Sequence, residues 1–167
     1  MKKLVFSILC LSLMFISCQA QADKMQNEDQ TSTAQASVDS KINPENQVSG
    51  TPMQINTEEF IKLVHDFKSN PGWKFNGNKP CVVDFYADWC RPCKMMDPIM
   101  EKLAKEYHGK INFYKVNIDQ NKELAQAYNI SSIPFFLFCS INGQPQASMG
   151  MMAEEDLRKA LDSILNQ

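Results

Sequence analysis

The chain has 167 residues, of which 44% are hydrophobic and 22% are charged, and its formal net charge is −2. This length allows one ordinary domain of about 100–150 residues plus a shorter segment, and it excludes two large domains. The composition is typical of a soluble globular protein, and the small net charge provides no basic surface field, so we expect no nucleic-acid partner.

Residues 1–18 have the pattern of an export signal. Two lysines precede an apolar run from Leu4 to Ile16, which is shorter than the roughly 20 residues that a transmembrane helix needs. Phe15-Ile16-Ser17-Cys18 resembles a bacterial lipobox, although leucine is commonest at the position of Phe15. The alternative is ordinary cleavage after the small-residue site Ala20-Gln21-Ala22. We favour the lipobox and expect an exported, periplasmic protein whose membrane attachment is a lipid anchor on Cys18.

Residues 19–50 are rich in Gln, Asn, Ser, Thr, Asp and Glu and have no apolar periodicity, which predicts a flexible polar tether. Such a segment cannot bury enough apolar surface to offset the entropy that it loses on ordering. The alternative for this segment is an extension that is cleaved off or that is tolerated without a function, and this alternative stays open. We expect the folded domain to span residues 51–167.

Strands and helices alternate through that domain. In chain order, the predicted elements are a strand at 53–55, a helix of about three turns capped by Thr57, a strand at 81–86, a helix at 94–107, a strand at 111–118, a short helix at 123–128, strands at 135–139 and 146–149 joined by an Asn142-Gly143 turn, and a helix from Glu154. This order predicts an α/β fold, in which a central sheet is parallel first and antiparallel at the hairpin, with helices on both faces.

One carboxylate interrupts the apolar run from Cys81 to Tyr86. This residue, Asp84, lies inside a strand that is predicted to be buried. A buried aspartate is costly unless it has a role or a partner, so Asp84 is a candidate functional residue and Lys115 is its candidate partner. A structural aspartate with satisfied hydrogen bonds is the alternative.

Cys90 and Cys93 form a Cys-x-x-Cys pair at the junction between that strand and the next helix. The first sulfur then lies at a helix N-terminus, where free N–H groups and the helix dipole stabilise a thiolate. Such settings lower a cysteine pKa from about 8.5 to ~3.5–7.5, so Cys90 is the expected nucleophile. Cys93, one helical turn later, is the expected resolving cysteine, which attacks the mixed disulfide.

Two residues lie between the cysteines. Pro92 suits an early helical position, because its missing N–H is not needed there. Arg91 adds a positive charge that either lowers the pKa of the Cys90 thiol and makes the protein a stronger oxidant, or is a solvated surface charge without effect. Both interpretations of Arg91 stay open.

The run from Val83 to Lys94 resembles the active-site segment of thioredoxins. Other positions that fit the family are Pro98, Lys115, Ile133, Pro134, Gly143 and Gly150. The chain departs from the family pattern at Arg91, where glycine is usual, and at Tyr86, where tryptophan is common. The resemblance implies the thioredoxin fold, with a central mixed five-stranded sheet flanked by helices on both faces.

The resemblance also implies roles for single residues. Cys90 and Cys93 are implied to form a redox disulfide, with Asp84 assisting proton removal from Cys93 and Lys115 tuning Asp84. Pro134 is implied to follow a cis peptide bond and to face the cysteine pair. The residues implied in partner binding or redox tuning are Trp89, Pro92, Ile133, Pro134 and Gly150; Arg91 is a further candidate for redox tuning because of its charge, and not because of the family pattern. For Trp89, half-buried packing beside the site is the alternative.

The implied function is that of a monomeric enzyme that exchanges disulfides with protein substrates, without a cofactor or metal, and with an unidentified electron donor or acceptor protein. Protein disulfide reduction is the favoured direction. The alternatives are an exported disulfide oxidase or isomerase, and a non-catalytic binding module with the thioredoxin fold.

The remaining cysteines of the domain, Cys81 and Cys139, lie in apolar strands and are expected to be buried structural thiols. The sequence does not assign a disulfide between them. His65 and His108 have polar helix neighbours and are expected on solvated faces, which disfavours a zinc site.

Overall fold

The structure is a computed structural model that describes residues 50–167. The predicted export signal at 1–18, the lipobox cysteine Cys18 and the predicted tether at 19–50, apart from its last residue, lie outside the described residues. In chain order, the elements are β1 (Met53–Gln54), α1 (Thr57–Leu63), β2 (Cys81–Tyr86), α2 (Arg91–Glu106), β3 (Asn112–Asn117), α3 (Lys122–Ala127), β4 (Phe135–Cys139), β5 (Gln146–Met149) and α4 (Glu154–Leu165). Within this part of the chain, no helix combines the length and the apolar character that crossing a membrane requires.

The strands form one mixed sheet in the order β1-β3-β2-β4-β5. β3 pairs parallel with β1 and β2, whereas β4 pairs antiparallel with β2 and β5. β2 is therefore the central strand, and five of its six residues are buried. The prediction of an α/β fold with a mixed five-stranded sheet is confirmed.

Helices cover both faces of the sheet, and each face has its own apolar core. Alternate strand residues point to opposite faces. Val82 and Phe136 pack on one face with residues of α2 and α4, and Val83 and Tyr114 pack on the other face with residues of α1 and α3. Asp84, two residues after Val82, therefore points to the face that α2 and α4 cover.

The first helix differs from its prediction at both ends. Asn56, not Thr57, is the N-cap: its side chain accepts a hydrogen bond from the Glu59 N–H at 3.0 Å, and its own N–H donates to the Glu59 carboxylate at 2.6 Å. The helix also ends after seven residues instead of three turns. At this end, Asn76 donates hydrogen bonds to the carbonyl of Ile61 in the last turn and to the carbonyl of the C-cap residue Val64.

The early end of α1 explains why the prediction for His65 is wrong. The residue leaves the helix and turns inward, so that it is buried and 7% exposed. One ring nitrogen lies 2.7 Å from the Tyr128 hydroxyl and the other lies 3.2 Å from the Gly72 carbonyl oxygen. His65 is therefore a hydrogen-bonded core residue and not a member of a solvated helix face.

Candidate active site

The cysteine pair lies directly after the central strand. A turn beyond β2 brings the Cys90 N–H to the Ala87 carbonyl oxygen at 3.0 Å, and Cys90 is then the N-cap of α2. The helix begins at Arg91, and the cysteine sulfur itself caps it: the Cys93 N–H donates to Cys90 Sγ at 3.1 Å. The first sulfur thus lies at the positive end of a helix of 16 residues.

Cys90 and Cys93 are joined by a disulfide. Both residues are almost fully buried, in a small cluster with Ala87 that Ile118 and Ile133 partly cover. Between the two cysteines, Arg91 and Pro92 are exposed and occupy the first two helical positions. The two residues between the cysteines are therefore at the surface, while the sulfur atoms are shielded from solvent.

A second loop completes this end of the domain. The Ile133–Pro134 peptide bond is cis, and Pro134 directly precedes β4. Its carbonyl oxygen accepts a hydrogen bond from the Gly150 N–H at 2.8 Å. Gly150 has a φ of 88°, which glycine adopts at little cost and other residues do not. Gly150 thus ties the end of β5 to the proline loop.

Trp89 projects into solvent next to the pair and is 69% exposed, which excludes the alternative of a half-buried packing residue. Its indole Nε1–H donates a hydrogen bond to Asp119 Oδ2 at 2.8 Å, which fixes the ring orientation. The indole borders a cleft of about 250 Å³ whose other lining residues are Ile118, Ile130, Ser131, Ser132 and Ile133. An exposed aromatic ring beside a cleft lined by isoleucines and serines is suited to contact with another protein.

Asp84 is completely buried. Neither of its carboxylate oxygens has a hydrogen-bond partner among the described residues. Burial raises the pKa of Asp84 to about 7, against the attraction of Lys115, which lowers it, and with a smaller raising contribution from Asp97. An unpartnered buried carboxyl group with a pKa near neutrality is typical of functional sites.

The ion pair expected between Lys115 and Asp84 is not formed. The two residues are direct cross-strand neighbours in the β2–β3 register, yet the Lys115 ammonium group binds the Asp97 carboxylate of α2. The ammonium nitrogen also lies 4.4 Å from the centre of the Tyr86 ring. Asp97 is partly exposed, so its charged form has a smaller desolvation cost than that of Asp84, and it is the better partner for Lys115.

Sequence reasoning missed three residues of this region. Asp97 lies four residues after Cys93 and hence on the same face of α2. This spacing could have identified Asp97 as a candidate from the sequence. Asp119, which binds the Trp89 indole, and Ile118, which packs on the cysteine cluster, follow directly after β3. Their contacts depend on β3 lying beside β2, which local sequence patterns do not reveal.

The second pair of cysteines lies away from this site. Cys81 and Cys139 are opposite each other in the antiparallel β2–β4 register, and both are free thiols with no exposed surface. Burial and a hydrogen bond to Cys139 raise the pKa of the Cys81 thiol well above its usual range. Such thiols act as small apolar side chains.

Comparison with known proteins gives a consistent result. The family model for thioredoxin matches residues 56–163. Thioredoxin of Borreliella burgdorferi is 41% identical over 103 residues, which covers 62% of this chain and 88% of that protein. The chloroplastic thioredoxin M-type of Spinacia oleracea is 37% identical over 111 residues, covering 65% of this chain and 61% of the spinach protein. Among solved structures, the N21Q mutant thioredoxin from Halobacterium salinarum has a TM-score of 0.56 and 27% identity, and the match covers 71% of this chain and 95% of that chain.

The matched region contains the whole constellation described above. A cysteine pair caps a helix, a buried carboxyl group lies on the sheet face beneath that helix, and a cis-proline loop borders the pair. Such an arrangement can carry out thiol–disulfide exchange, because a helix N-terminus favours a thiolate on the first sulfur once the pair is reduced, and the second sulfur is one helical turn away. On the match of its fold, its sequence and its cysteine pair, the chain belongs to the thioredoxin family of thiol–disulfide oxidoreductases.

Proposed function

We propose that this protein is a protein-disulfide reductase that acts through Cys90 and Cys93. The observation that carries the proposal is the disulfide between these residues at the N-terminus of α2. A disulfide in this place can exchange with the thiols and disulfides of other proteins, and the similarity to thioredoxins favours the reducing direction. The exposed Trp89 and the cleft beside it provide a surface on which a protein substrate can bind.

The reaction starts from the dithiol form. The Cys90 thiolate attacks one sulfur of the substrate disulfide, and the other substrate sulfur leaves as a thiolate and takes up a proton. The Cys93 thiolate then attacks Cys90 Sγ, closes the internal disulfide and releases the second substrate sulfur. The substrate gains two electrons and two protons, and the protein loses the same number.

The geometry favours Cys90 as the attacking residue. Its sulfur accepts the Cys93 N–H and lies at the positive end of α2, and both interactions stabilise an anion there. Arg91, which follows directly and is exposed, adds a positive charge of the sign that a thiolate prefers. Cys93 lies inside the first turn, where its role is to resolve the mixed disulfide.

Asp84 is the proposed acceptor of the Cys93 proton. Cys93 and Asp97 lie on one face of α2, and Asp97 binds Lys115, the cross-strand neighbour of Asp84. This face of the helix is therefore directed to the part of the sheet that contains Asp84. A pKa of about 7 for Asp84 suits a general base at neutral pH, because such a group changes its protonation state easily.

Insulin reduction with dithiothreitol as electron source tests the proposal. The wild type should accelerate precipitation of the insulin B chain, and Cys90→Ser should lose this activity. Cys139→Ala is the matched control. It removes a thiol on the face of the sheet opposite to Asp84, so this variant should retain activity. Absence of turnover by the wild type would favour the non-catalytic binding module instead.

The redox potential decides the direction. Equilibration of the Cys90/Cys93 pair with a series of glutathione ratios should give a potential near that of reducing thioredoxins, about −270 mV. A value near −120 mV, typical of strong oxidants, would replace the reductase proposal by the oxidase alternative. Replacement of Arg91 by glycine in the same titration measures how much this one charge contributes.

We further propose that the reductase domain is exported to the periplasm and anchored by a lipid on Cys18. The support is the charged and apolar leader with its lipobox-like end at residues 15–18. Mass spectrometry of the mature N-terminus in the producing cells should find a diacylated cysteine. An unmodified N-terminus at Asp23 would refute the anchor and support ordinary secretion.

A further inference from the structure

We propose that Asp97 is a positioning residue, which competes with Asp84 for the Lys115 ammonium group and thereby governs how readily Asp84 takes up the Cys93 proton. The inference deepens the proposed function and rests on it. It assigns a part in the reaction to a residue of α2 that lies one turn after Cys93.

The argument begins with the register of the sheet. Asp84 of β2 and Lys115 of β3 are direct neighbours, and neighbouring residues on adjacent strands have their side chains on the same face. An isolated pair of this kind would form a buried ion pair. Instead, the ammonium group binds Asp97, which reaches it from α2 above the sheet.

The outcome leaves Asp84 without any hydrogen-bond partner among the described residues. A single ammonium group is thus placed between two carboxylates, and it binds the one on the helix. The desolvation penalty explains the choice: the Asp97 side chain is 35% exposed, whereas Asp84 is completely buried.

The Asp97 carboxylate affects Asp84 in two ways of the same sign. It holds the Lys115 ammonium group in an ion pair that leaves Asp84 without a hydrogen bond, and its own negative charge raises the pKa of Asp84. Both effects favour the protonated carboxyl group of Asp84. Asp97 therefore helps to hold the pKa of Asp84 in the neutral range, where a general base works most efficiently.

The described elements around Asp84 contribute both apolar and titratable side chains. From β4, the neighbour of Asp84 in the register is Phe136, which does not titrate, and α4 faces this core with apolar residues. The titratable or charged groups around the Asp84–Lys115–Asp97 cluster are Tyr86 of β2, Asp88 of the following turn, Cys90 and Cys93 at the start of α2, and Glu101 one turn after Asp97.

Solvent reaches the Lys115–Asp97 ion pair from one side. Lys115 and Asp97 line a cleft of about 210 Å³ together with Thr51, Pro52, Gln54, Met100 and Glu101. A change in the charge of Asp97 is therefore possible without disturbing the buried core around Asp84. This makes Asp97→Asn a variant that alters the electrostatics and keeps the shape of the side chain.

The test combines two pH titrations of Asp97→Asn. The first follows the Asp84 carboxyl group itself by NMR of aspartate-labelled protein, with Asp84→Asn to assign the signal. The second follows the pH dependence of insulin reduction. In the variant, Lys115 turns to Asp84, and we expect both midpoints to move to lower pH by about one unit.

Two further variants separate this effect from a loss of structure or of net charge. Asp97→Glu keeps the carboxylate and should restore the wild-type midpoints. Glu101→Gln removes one negative charge from the same helix and the same cleft, at a position that does not bind Lys115, and should leave both midpoints in place.

Each result decides the question. An unchanged Asp84 midpoint in Asp97→Asn, or an equal shift in Glu101→Gln, would overturn the inference even if insulin reduction is normal. A shifted Asp84 midpoint with an unchanged kinetic midpoint would overturn the role of Asp97 in the reaction. Failure of the wild type to reduce insulin at every pH would instead overturn the proposed function, and the inference with it, independently of the NMR result.

Discussion

The two cysteine pairs of the folded domain lie at opposite ends of β2 and have opposite properties. Cys90 and Cys93 follow the carboxyl end of the strand, at the start of a helix, and form a disulfide. Cys81, the first residue of the strand, faces Cys139 across the sheet, and both remain thiols. All four residues are nearly inaccessible, so burial alone does not determine which pair is reactive.

The difference lies in the polar groups around each sulfur. At the helix end, a backbone N–H donates to Cys90 Sγ, and the dipole of α2 points its positive end there. At the sheet end, Cys81 is buried among apolar side chains, and this burial raises the pKa of its thiol. A strand end followed by a helix thus creates a thiolate site, whereas the interior of the sheet suppresses one.

Alkylation of the reduced protein is the strongest test of this contrast. At neutral pH, we expect iodoacetamide to modify Cys90 at least about 100-fold faster than Cys81 or Cys139, because only Cys90 has its thiolate stabilised. Peptide mass spectrometry over time measures the rates, and unfolding in guanidinium chloride should make all four thiols reactive. Similar alkylation rates for both pairs in the native protein would contradict the division into a reactive and an unreactive cysteine pair.

Asp84→Asn tests the buried charge at the active end of β2. Between pH 4 and 7, native Asp84 keeps a proton that the unfolded chain has released, so its contribution to stability decreases as pH rises through this window. The variant lacks this penalty. The free energy of unfolding of the variant minus that of the wild type should therefore become more positive by up to about 4 kcal/mol between pH 4 and pH 8.

Urea denaturation at the two pH values measures this effect, and Glu101→Gln controls for the loss of one negative charge. Insulin reduction by Asp84→Asn should fall by about 100-fold, the lower end of the ~10²–10⁴-fold that a positioned general acid or base contributes. A variant that gains stability and keeps full activity would show that Asp84 has no part in proton transfer.

Cys139→Ala addresses the other end of the strand. Loss of one sulfur from a filled core leaves a small cavity, so we expect a decrease of about 1–2 kcal/mol in the free energy of unfolding. Insulin reduction should be unchanged, since the residue lies on the face that α1 and α3 cover. Loss of activity in a folded Cys139→Ala protein would contradict the division between a structural and a reactive pair.

Gly150→Ala gives the smallest expected effect. No atom lies within 4 Å of the added Cβ, so the cost comes from the backbone, whose φ is 88°, and amounts to about 1 kcal/mol. Gly72→Ala is the control, because it also enters open space but has no positive φ. Thermal unfolding compares the two variants, and equal melting temperatures would argue against strain at the proline loop.

The local features of this protein were predictable from sequence. The alternation of strands and helices, the bounds of β4 and β5, and the start of α4 follow from apolar periodicity and turn residues, which act over a few positions of the chain. The burial of Asp84 follows from the apolar run around it. The Cys-x-x-Cys pair at a strand-to-helix junction already indicates a thiolate at a helix N-terminus.

The sequence alone also determined the family, because the residues from Val83 to Lys94 are a continuous segment whose pattern is specific. Tertiary structure decided the rest, namely which partners the charged and polar groups have. Lys115 binds Asp97 and not Asp84, Asn76 binds two carbonyls at the C-terminal end of α1, and Cys81 meets Cys139 only through strand pairing. In each case, the groups meet only in the folded chain, and for Lys115 the choice between two carboxylates also depends on desolvation, which no local pattern encodes.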